Sequence, residues 1–556
     1  MRDLEKLSNR IYDLCVIGGG IHGACLAWDA ALRGLSVALV EKSDFCSATS
    51  ANSLKIIHGG LRYLQHGDLI RMRQSIGERT AMMRIAPHLV HPLPVLIPTY
   101  GHGMKGKELL RVALWVNDTV GFDRNRLMDS QKYIPAGRVL SAGRVKELVP
   151  GIQTSGLTGG AVFYDAQVFN SERLVMSFLR SAEAAGGDLA NYAEATGFIR
   201  RGDAIEGVRV RDVFTGEDFS IRARTVANTS GPWIDTVLGY AGGTQRFTQG
   251  KFARAFNVVT PPLFKEYALG IHTDGVYRDS SALIQKGSRL LFVAPWRSHS
   301  IIGTAYEPYE GDPGALKVTA KDIEPFLDEI NRAIPSASIK MKDVSFIHSG
   351  LLPISGRDPK TGDVQLMNHP RVRDHREDGI RGLISVTGVK YTTARWVAEK
   401  VLDGIFRSWG KKPPRCLTRE TRLFGGGMDS VDSYMAEAMK KRPSGAGEQT
   451  MRNLIFNYGS DHSNVLEYAT SREAGSPASC DDRGVLAATV RYSVRKEGAR
   501  KLADVIFRRT DLGSAGHPGM DNLKTCAAVM GADLDWSSDR VEREIREVEE
   551  VYSSFQ

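Results

Sequence analysis

The start of the chain carries an ordered series of a strand, a glycine-rich turn, a helix and a second strand. The short apolar run YDLCVI (12–17) is typical of a buried strand, and SVALVE (36–41) predicts another. Between them, the alanine-rich stretch 21–33 favours a helix and follows directly on three glycines at 18–20. Strands joined through a helix in this way pair in parallel, because parallel strands need a crossover connection. The chain is therefore expected to fold as an α/β protein around an open parallel sheet.

The glycine turn has the spacing of a dinucleotide-binding fingerprint. Gly18, Gly20 and Gly23 fit the pattern GxGxxG, and Glu41 ends the second predicted strand, 18 residues after Gly23. Glycines at these points allow a tight turn and let a pyrophosphate approach the N-terminus of the helix. An acid at the end of the next strand accepts hydrogen bonds from a ribose hydroxyl. A purely structural glycine turn would not need the acid, so the pattern predicts a dinucleotide site.

The composition is that of a soluble globular protein with two or three domains. The chain has 556 residues, 42% of them hydrophobic, and its six cysteines form no CxxC motif, which suits a reducing compartment. The net charge of +9 weakly favours anionic partners such as an acidic substrate or a membrane surface. No membrane-spanning run and no signal peptide is visible, so we expect a cytoplasmic protein, with peripheral contact to the inner face of the cytoplasmic membrane left open. Zinc motifs and basic arrays interleaved with aromatic residues are missing, so we expect no metal site and no nucleic acid partner.

The sequence after the second strand distinguishes between two common dinucleotide cofactors. A simple NAD enzyme would continue with further βαβ repeats. This chain instead runs into ATSANSLKIIHGGLRYL (48–64), makes long excursions, and returns only late with GVKYTTAR (388–395). Such an interrupted cofactor domain suits FAD, because the extended FAD molecule contacts segments that lie far apart in sequence.

These segments resemble those of the FAD-dependent glycerol-3-phosphate dehydrogenases over most of the chain. The matching pieces are IGGGIHGA (17–24), 48–64, APHLV (86–90), NTSGPW (228–233), FVAPW (292–296), IIGT (301–304), YEGDP (309–313), 388–395 and RKEGARKLADVIFRRTDLG (495–513). The resemblance implies non-covalent FAD that takes a hydride from a secondary alcohol of a small hydroxylated substrate. It also implies electron transfer to a membrane quinone or to oxygen, and it leaves a homodimer open.

The resemblance implies three structural parts. We expect an α/β fold with a Rossmann-like FAD-binding domain of the glutathione-reductase type, a substrate domain on a mixed sheet, and a C-terminal α-helical domain. The expected boundaries are 1–90, 155–245 and 345–408 for the discontinuous FAD domain, 91–154 and 246–344 for the substrate domain, and 416–556 for the helical domain.

Local patterns predict further elements. Helical spacing of apolar residues predicts helices from Leu69 to the residue before Pro87, at 108–117, at 171–185 and at 319–334. The segment 282–296 resembles a hairpin that turns at Lys286 and Gly287. The basic segment 491–501, with Val490, Val494 and Leu502 on one side, is either a solvated helix face or a surface that rests on anionic lipid.

Glycine and polar positions in the family segments are predicted to contact the cofactor. Under the resemblance, Thr49, Ser50 and Ser53 wrap the flavin, Gly231 approaches it, and 388–392 lines its pyrimidine end. Lys390 is expected either to stabilise the reduced flavin or to bind the substrate. The full predicted set is Gly18, Gly20, Gly23, Glu41, Lys42, Thr49, Ser50, Ser53, Gly59, Gly60, Gly231, Gly388, Lys390, Tyr391 and Thr392.

Four residues are candidates for catalysis: His58, Arg62, Lys390 and His375. His58 is either the base that takes a hydroxyl proton, since imidazole titrates near neutral pH, or a packed histidine in a tight loop. His375 is a second candidate for the base. Arg62 either binds the substrate or pairs with a buried carboxylate. The residues expected to bind substrate are Arg62, Tyr63, Arg254 and Tyr391.

The chain departs from the family pattern where a phosphate would be bound. Leu352 stands where the family that the chain resembles has an arginine. A second arginine of that family corresponds to Met367 or His369. The family also has a histidine near the reacting carbon, and the corresponding position in this chain is near Phe256. Removing one arginine from a buried anion site costs on the order of 2–5 kcal/mol. The candidates to replace the missing cations are Lys251, Arg254 and Arg357.

These departures favour a substrate other than glycerol 3-phosphate, either another polyol phosphate or a related hydroxylated small molecule. Two alternatives remain from the sequence. One is an FAD-dependent oxidase that uses oxygen on a non-phosphorylated substrate, and the other is a flavin-binding protein without catalytic activity.

Overall fold

A computed structural model describes residues 1–103, 106–242, 247–248, 251–276, 288–358, 362–470 and 481–555. Within these ranges the strands are β1 Ile11–Ile17, β2 Val37–Val40, β3 Ile56–Ile57, β4 Val90–Tyr100, β5 Arg138–Ser141, β6 Leu157–Val168, β7 Asp188–Ala190, β8 Ala193–Arg201, β9 Ala204–Asp212, β10 Asp218–Asn228, β11 Phe252–Thr260, β12 Ala268–Val276, β13 Ser288–Trp296, β14 His299–Tyr309, β15 Phe346–Arg357, β16 Val364–Leu366, β17 Arg371–Asp374 and β18 Leu383–Thr387. The α-helices are α1 Leu4–Ser8, α2 Ile21–Leu32, α3 Leu69–Ile85, α4 Lys107–Val120, α5 Ala142–Leu148, α6 Ser171–Ala184, α7 Ile234–Gly239, α8 Ala320–Ala333, α9 Ala394–Ser408, α10 Val431–Lys440, α11 Glu448–Tyr458, α12 His462–Thr470, α13 Asp482–Glu497, α14 Leu502–Asp504, α15 Met520–Leu534 and α16 Ser538–Ser553.

The first sheet contains the N-terminal βαβ unit. In the described part of the chain its parallel strands run in the order β18, β10, β1, β2 and β7. β2 is buried along its whole length and β1 over most of it, as expected for parallel strands covered on both faces. α2 packs against both α6 and α9, and Trp28 meets Phe178 edge to face. The predicted parallel pairing is therefore confirmed for these five strands, and β17, β9 and β8 extend the sheet with antiparallel pairs.

The register of this sheet brings the ends of three strands to one edge. Ile17, the last residue of β1, pairs with Val40 at the end of β2 and with Asn228 at the end of β10. The loops that follow these strands must therefore start side by side. In open α/β sheets, ligands bind at such a carboxyl edge.

The second sheet is mixed, as predicted. Its described strands run in the order β16, β15, β11, β14, β13, β12, β4, β6 and β3, with β5 paired to β6. β12 pairs in parallel with β4, whereas the other pairs are antiparallel. α8 covers this sheet with a buried apolar face and begins with a capping box between Thr319 and Asp322. The predicted helix at 319–334 is therefore confirmed to within one residue at each end.

The predicted domain boundaries differ from the sheet pairing at three places. β3, β6, β15 and β16 fall in ranges that we assigned to the FAD domain, but all four belong to the second sheet. β6 pairs with β4 along almost its full length, from Val90 opposite Val168 to Tyr100 opposite Leu157. Such long antiparallel pairings leave no local mark in the sequence, which is why the boundaries were displaced.

Other local predictions agree with the structure. The helices expected after Leu69, at 108–117 and at 171–185 are α3, α4 and α6. The expected hairpin at 282–296 is described only from β13 onwards, because its turn lies in 277–287, outside the described residues.

The C-terminal part is helical, as expected, from α10 to α16. The apolar side of the basic segment 491–501 faces the protein interior, since Val490, Val494 and Leu502 are 0%, 7% and 0% exposed. The side chains pack in the same core as Cys526. The apolar side of this segment is therefore not available to lipid, and Arg495 and Lys496 on its other side are exposed.

No helix in the described ranges is long and apolar enough to cross a bilayer. The cysteines in these ranges are free thiols, namely Cys15, Cys25, Cys46, Cys416 and Cys526, while Cys480 lies outside them.

Candidate functional site

A cavity of about 900 Å³ lies between the carboxyl edge of the first sheet and the inner face of the second. The first sheet contributes Ile17, Val40 and Thr229, and the second contributes Phe163 and Phe292. This volume is at the upper end for small-molecule sites, as needed for a large cofactor together with a substrate. The cavity is thus where the strand register places a ligand.

The glycine turn is packed so closely that side chains are excluded. Gly18 has φ +105°, and a Cβ there would lie 2.7 Å from the carbonyl oxygen of Thr229. A Cβ on Gly20, by contrast, would approach only the Ser50 hydroxyl, at 3.1 Å. Gly18 and Gly20 line the cavity in front of the N-terminus of α2. This bare backbone at a helix N-terminus fits an anionic group such as a pyrophosphate, because the positive end of the helix dipole favours negative charge there.

Glu41 holds the glycine turn in place. Its Oε2 accepts a hydrogen bond from the Gly19 N–H at 2.7 Å, and its Oε1 accepts one from the Ser43 N–H at 3.0 Å. Burial raises the pKa of the Glu41 carboxyl even though both N–H bonds oppose the shift. Each oxygen keeps a second lone pair, so the side chain can also accept from a ribose hydroxyl. Beside it, the Lys42 ammonium lies 3.7 Å from the centre of the Trp233 ring.

The segment 48–64 lines the cavity and is fixed near its N-terminal end. The Thr49 hydroxyl donates to the Leu351 carbonyl and accepts from the Leu351 N–H, each at 3.1 Å. The Ser50 hydroxyl accepts from the Ile21 N–H at 3.0 Å, at the first turn of α2. These bonds connect the segment to β15 of the second sheet and to α2 of the first. Its residues therefore form a wall shared by both halves of the cavity.

His58 forms a pair with a carboxylate that the sequence did not single out. Its Nδ1 lies 3.3 Å from Asp165 Oδ2, while Asp165 Oδ1 accepts from the Gly59 N–H at 2.5 Å. Arg79 also donates to Oδ1. Burial alone would raise the pKa of Asp165, but the bonds from His58, Arg79 and Gly59 hold it below its ordinary value. An ionised, buried Asp165 thus orients the imidazole, whose side chain is 44% exposed and lines the cavity.

A cationic region forms another part of the cavity wall. Arg62 is exposed to the cavity, and the Lys390 ammonium lies over the Tyr63 ring at 4.2 Å. Lys390 also donates to the Asn368 carbonyl at 3.2 Å. Burial, followed by repulsion from Arg71 and Arg62, lowers the pKa of Lys390 to about 8. This lysine is therefore charged at neutral pH, and a bound anion would relieve the repulsion.

Most residues predicted from the sequence line this one cavity. They are Gly18, Gly20, Glu41, Lys42, Thr49, Ser50, Ser53, His58, Gly60, Arg62, Tyr63, Gly231, Gly388, Lys390, Tyr391 and Thr392. The two family segments meet directly, because the Thr392 hydroxyl accepts from the His58 N–H at 3.2 Å. Tyr391 lines the wall while its hydroxyl donates to the Ser171 carbonyl, which leaves only its ring for a ligand.

Two predicted cofactor glycines do not line the cavity but pack behind it. A Cβ on Gly23 would lie 1.9 Å from the Gly18 carbonyl oxygen, so this glycine lets α2 pack against the end of β1. A Cβ on Gly59 would lie 2.2 Å from the Arg79 guanidinium, which reaches past it to Asp165. Both positions require glycine for packing, and the prediction of direct cofactor contact is corrected.

Two other predicted site residues lie elsewhere. His375 is 1% exposed, and its two ring nitrogens bond Asp378 at 2.7 Å and Ser385 at 2.8 Å, so it has no access to a substrate. Arg254 is bound by Asp322 at 2.6 Å and by Glu307, which lies directly opposite it on β14. Neither residue lines the cavity. Sequence proximity to the family segments was misleading for both.

The departures from the family pattern are only partly at the cavity. Leu352 and Met367 line it, so apolar side chains do stand in the wall. Phe256, in contrast, is 0% exposed and packs edge to face on Phe326, while its neighbour Asn257 faces the cavity. Adjacent residues on a strand point to opposite faces, so Asn257 and not Phe256 is turned toward the cavity.

The proposed replacement cations are absent from the wall. Lys251 is exposed to solvent, and Arg357 pairs with Glu310 at 2.7 Å. Among the described residues, the lysines and arginines that line the cavity are Lys42, Arg62 and Lys390. Because Lys42 lies beside Glu41 and Trp233, the cations left for a substrate anion are Arg62 and Lys390.

Several lining residues were missed from the sequence. Asp165 lies in β6, far from any motif, and no local signal marks it. Trp233 lies in the quoted NTSGPW turn, where an aromatic residue after Gly231 was a usable signal. α4 contributes Leu110 and Val116, whose helical spacing was seen but not connected to a site.

Replacement of Glu41 by alanine is expected to weaken FAD binding by about tenfold or more, because two backbone N–H groups lose a charged acceptor. Glu41→Gln, which keeps one carbonyl acceptor, should weaken it less. The dissociation constant is measured by titrating apoprotein with FAD and following flavin fluorescence. Unchanged affinity in Glu41→Ala would contradict this placement of the cofactor.

Comparisons with known proteins agree with the geometry. The sequence profile of the FAD dependent oxidoreductase family matches residues 13–401, and that of the C-terminal domain of alpha-glycerophosphate oxidase matches 416–541. A glycerol-3-phosphate dehydrogenase of Synechocystis sp. is 30% identical over 99% of this chain and 98% of its own length. Glycerol-3-phosphate dehydrogenase 2 of Mycobacterium tuberculosis is 30% identical over 97% of this chain and 88% of its own.

A solved structure supports the fold. Glycerol-3-phosphate dehydrogenase from Bacillus halodurans, complexed with FAD, matches with a TM-score of 0.75 and 24% identity, covering 99% of this chain and 96% of that one. The predicted FAD cofactor, oxidoreductase activity and three-part fold are thereby confirmed. By its sequence profile, its full-length relatives and its fold, the chain belongs to the family of FAD-dependent glycerol-3-phosphate dehydrogenases.

Proposed function

We propose that this enzyme oxidises the secondary alcohol of a small polyol that carries an anionic group, for which a phosphate ester is the best match. The observation that carries the proposal is that one cavity is lined by a base paired to a carboxylate, His58 with Asp165, and by two cations, Arg62 and Lys390. The relatives named glycerol-3-phosphate dehydrogenases support the same substrate class.

The chemistry divides between cofactor and protein. FAD, when bound, supplies the acceptor for the hydride that leaves the alcohol carbon. His58 takes the hydroxyl proton, which converts the alcohol to a carbonyl group. Because the ionised Asp165 can only accept, His58 Nδ1 must carry the hydrogen between them, which leaves Nε2 with a free lone pair. Asp165 then stabilises the imidazolium that forms.

The anionic end of the substrate is held by Arg62 and Lys390. Arginine offers a planar fork for two phosphate oxygens, and lysine adds a second charge. Leu352 and Met367 occupy the wall without charge, which limits the site to these two cations among the described lining residues. Two cations match the charge of a phosphate monoester, which is about −1.5 to −2 at neutral pH.

Anaerobic flavin bleaching tests the substrate class. Glycerol 3-phosphate and other polyol phosphates should reduce the flavin at concentrations far below those needed for the same polyols without phosphate. The affinity of the enzyme for phosphorylated polyols should fall as pH rises above about 8, because Lys390 loses its charge there. Lys390→Met should weaken binding and abolish this pH dependence. Equal reduction by phosphorylated and unphosphorylated polyols would contradict the anion site.

Replacement of His58 tests the base. His58→Ala should slow anaerobic flavin reduction by about 10²- to 10⁴-fold at saturating substrate, the usual range for loss of a general base. Asp165→Asn should slow reduction and shift its pH profile, since a neutral partner no longer favours the imidazolium. FAD content of both variants serves as the control. A His58→Ala enzyme reduced at the wild-type rate would assign the proton transfer elsewhere.

We further propose that the enzyme rests on a membrane and passes electrons to a lipid-soluble quinone. An exposed apolar surface, called here the α3–α4 patch, consists of Ile70, Val112, Trp115, Phe122 and Met128. It adjoins the cavity through Val112, which both lines the cavity and is 58% exposed. Arg73 and Arg126 lie over the Phe122 ring of the patch at 5.2 and 6.0 Å. Large apolar side chains ringed by arginines are typical of surfaces that enter anionic lipid headgroups.

Vesicle flotation tests the patch. The double variant Trp115→Ser and Phe122→Ser should lose about tenfold in partitioning to anionic vesicles and lose quinone reduction in vesicles, while its flavin is still bleached by substrate. Ile11→Ser, which removes an equally exposed apolar residue at 71% on another part of the surface, is the matched control. Unchanged partitioning, or electron transfer to oxygen at the same rate with and without vesicles, would count against the membrane role.

A further inference from the structure

Asp44 is a buried carboxylate that the proposed reaction does not use. It lies three residues after Glu41, and its side chain has no solvent exposure. Its Oδ1 accepts from Arg509 at 2.7 Å and from the Asn191 amide at 2.8 Å. Its Oδ2 accepts from Arg508 at 2.6 Å and from Arg509 at 2.8 Å. Four donors thus hold one side chain.

The two arginines come from the C-terminal domain. They end the π-helical turn Val505–Arg509, which follows α14. Arg508 also bonds Asp504 at 2.6 Å, and Arg509 also donates to the Glu497 carbonyl at 3.0 Å. Burial would raise the pKa of Asp44, but Arg509 and Arg508 hold it below its ordinary value. Asp44 is therefore ionised, and its charge is compensated from a different domain.

The same short loop touches the glycine turn from several sides. Glu41 accepts from the Gly19 N–H, and the Cys46 N–H donates to the Gly19 carbonyl at 3.1 Å. A Cβ on Gly19 would lie 2.7 Å from the Phe45 ring. Asp44 lies between these contacts in the chain. Any displacement of Asp44 therefore moves the residues that enclose the backbone of Gly19.

A buried carboxylate without its cations cannot stay where it is. The loss of one partner from a buried pair leaves an uncompensated charge, which the chain relieves by moving the group toward water. For Asp44, that movement would pull on Phe45 and Cys46. The position of the glycine turn is thus energetically coupled to Arg508 and Arg509, although neither lines the cavity.

We propose that Asp44, Arg508 and Arg509 are positioning residues for the cofactor, through which the C-terminal domain sets the affinity for FAD. The proposal rests on the placement of FAD in the cavity described above. The C-terminal domain then acts as part of the nucleotide site, because it fixes the loop 41–46 against the glycine turn.

The test compares two buried arginines that each bond two carboxylates. Arg508 bonds Asp44 and Asp504, and Arg33, at the end of α2, bonds Asp29 and Asp403. Neither Asp29 nor Asp403 is among the described residues that line the cavity. Full-length Arg508→Gln, Arg508→Lys and Arg33→Gln are prepared as apoproteins. The FAD dissociation constant and the apoprotein unfolding midpoint are measured for each.

The expected result separates affinity from stability. Arg508→Gln should raise the dissociation constant about tenfold or more, and Arg508→Lys, which keeps the charge, should restore most of the affinity. Arg33→Gln should lower the unfolding midpoint by about as much as Arg508→Gln does. Its dissociation constant for FAD should nevertheless stay within about twofold of wild type. If Arg508→Gln gives no soluble protein, Asn191→Leu, which removes a neutral donor to Asp44, is compared in the same way.

Two outcomes would overturn the proposal. One is an Arg508→Gln apoprotein that binds FAD as tightly as wild type, and the other is equal weakening in Arg33→Gln. Failure of the cofactor placement itself is recognised separately, since Glu41→Ala would then leave FAD affinity unchanged. If Glu41→Ala weakens FAD binding but Arg508→Gln does not, only the coupling to the C-terminal domain is rejected.

Discussion

The contact between the Gly18 backbone and its neighbours is the constraint on which the site depends. Gly18 lies against the Thr229 carbonyl at the end of β10, and Gly23 lies against the Gly18 carbonyl from the first turn of α2. Without side chains at these points, the end of β1, the end of β10 and the start of α2 converge on one spot. The N-terminus of α2, without side chains in front of it, is then available to an anion. The adjoining loops take their positions from this convergence.

The cavity itself is a product of long-range pairing. The segment 48–64 is held by bonds from Thr49 to β15 and from Ser50 to α2, so it closes the space between the two sheets. The His58 ring pairs with the carboxylate of Asp165 in β6, and the His58 backbone N–H donates to the Thr392 hydroxyl. Asp165 thus orients the imidazole, while Thr392, more than 300 positions along the chain, fixes the His58 backbone. The substrate site therefore depends on both sheets being correctly paired, not on any one motif.

Charge in this protein is concentrated where segments meet. Asp165 and Asp44 are each buried and each surrounded by several donors, one behind the proposed base and the other behind the glycine turn. Such groups are costly to bury alone and stable only with all partners present. They make the positions of neighbouring loops well defined. The cationic wall at Arg62 and Lys390 differs, because its repulsion is left for a ligand to relieve.

The sequence alone determined the features that have a local period or a fixed spacing. The βαβ unit, the roles of Gly18 and Gly20, the position of Glu41 and the helices α3, α6 and α8 follow from apolar periodicity and steric limits on glycine. The family segments also indicated FAD and most of the lining residues. These predictions succeeded because their physical causes act over a few residues.

Only the tertiary structure decided which side chains share the cavity. Asp165 became the partner of His58 because β6 pairs beside β3, and His375 and Arg254 were excluded because other carboxylates or hydroxyls bind them. Phe256 turned into the core because neighbouring strand residues face opposite sides. Strand pairing, burial and charge compensation join residues that are distant in sequence, so no local pattern could have fixed them.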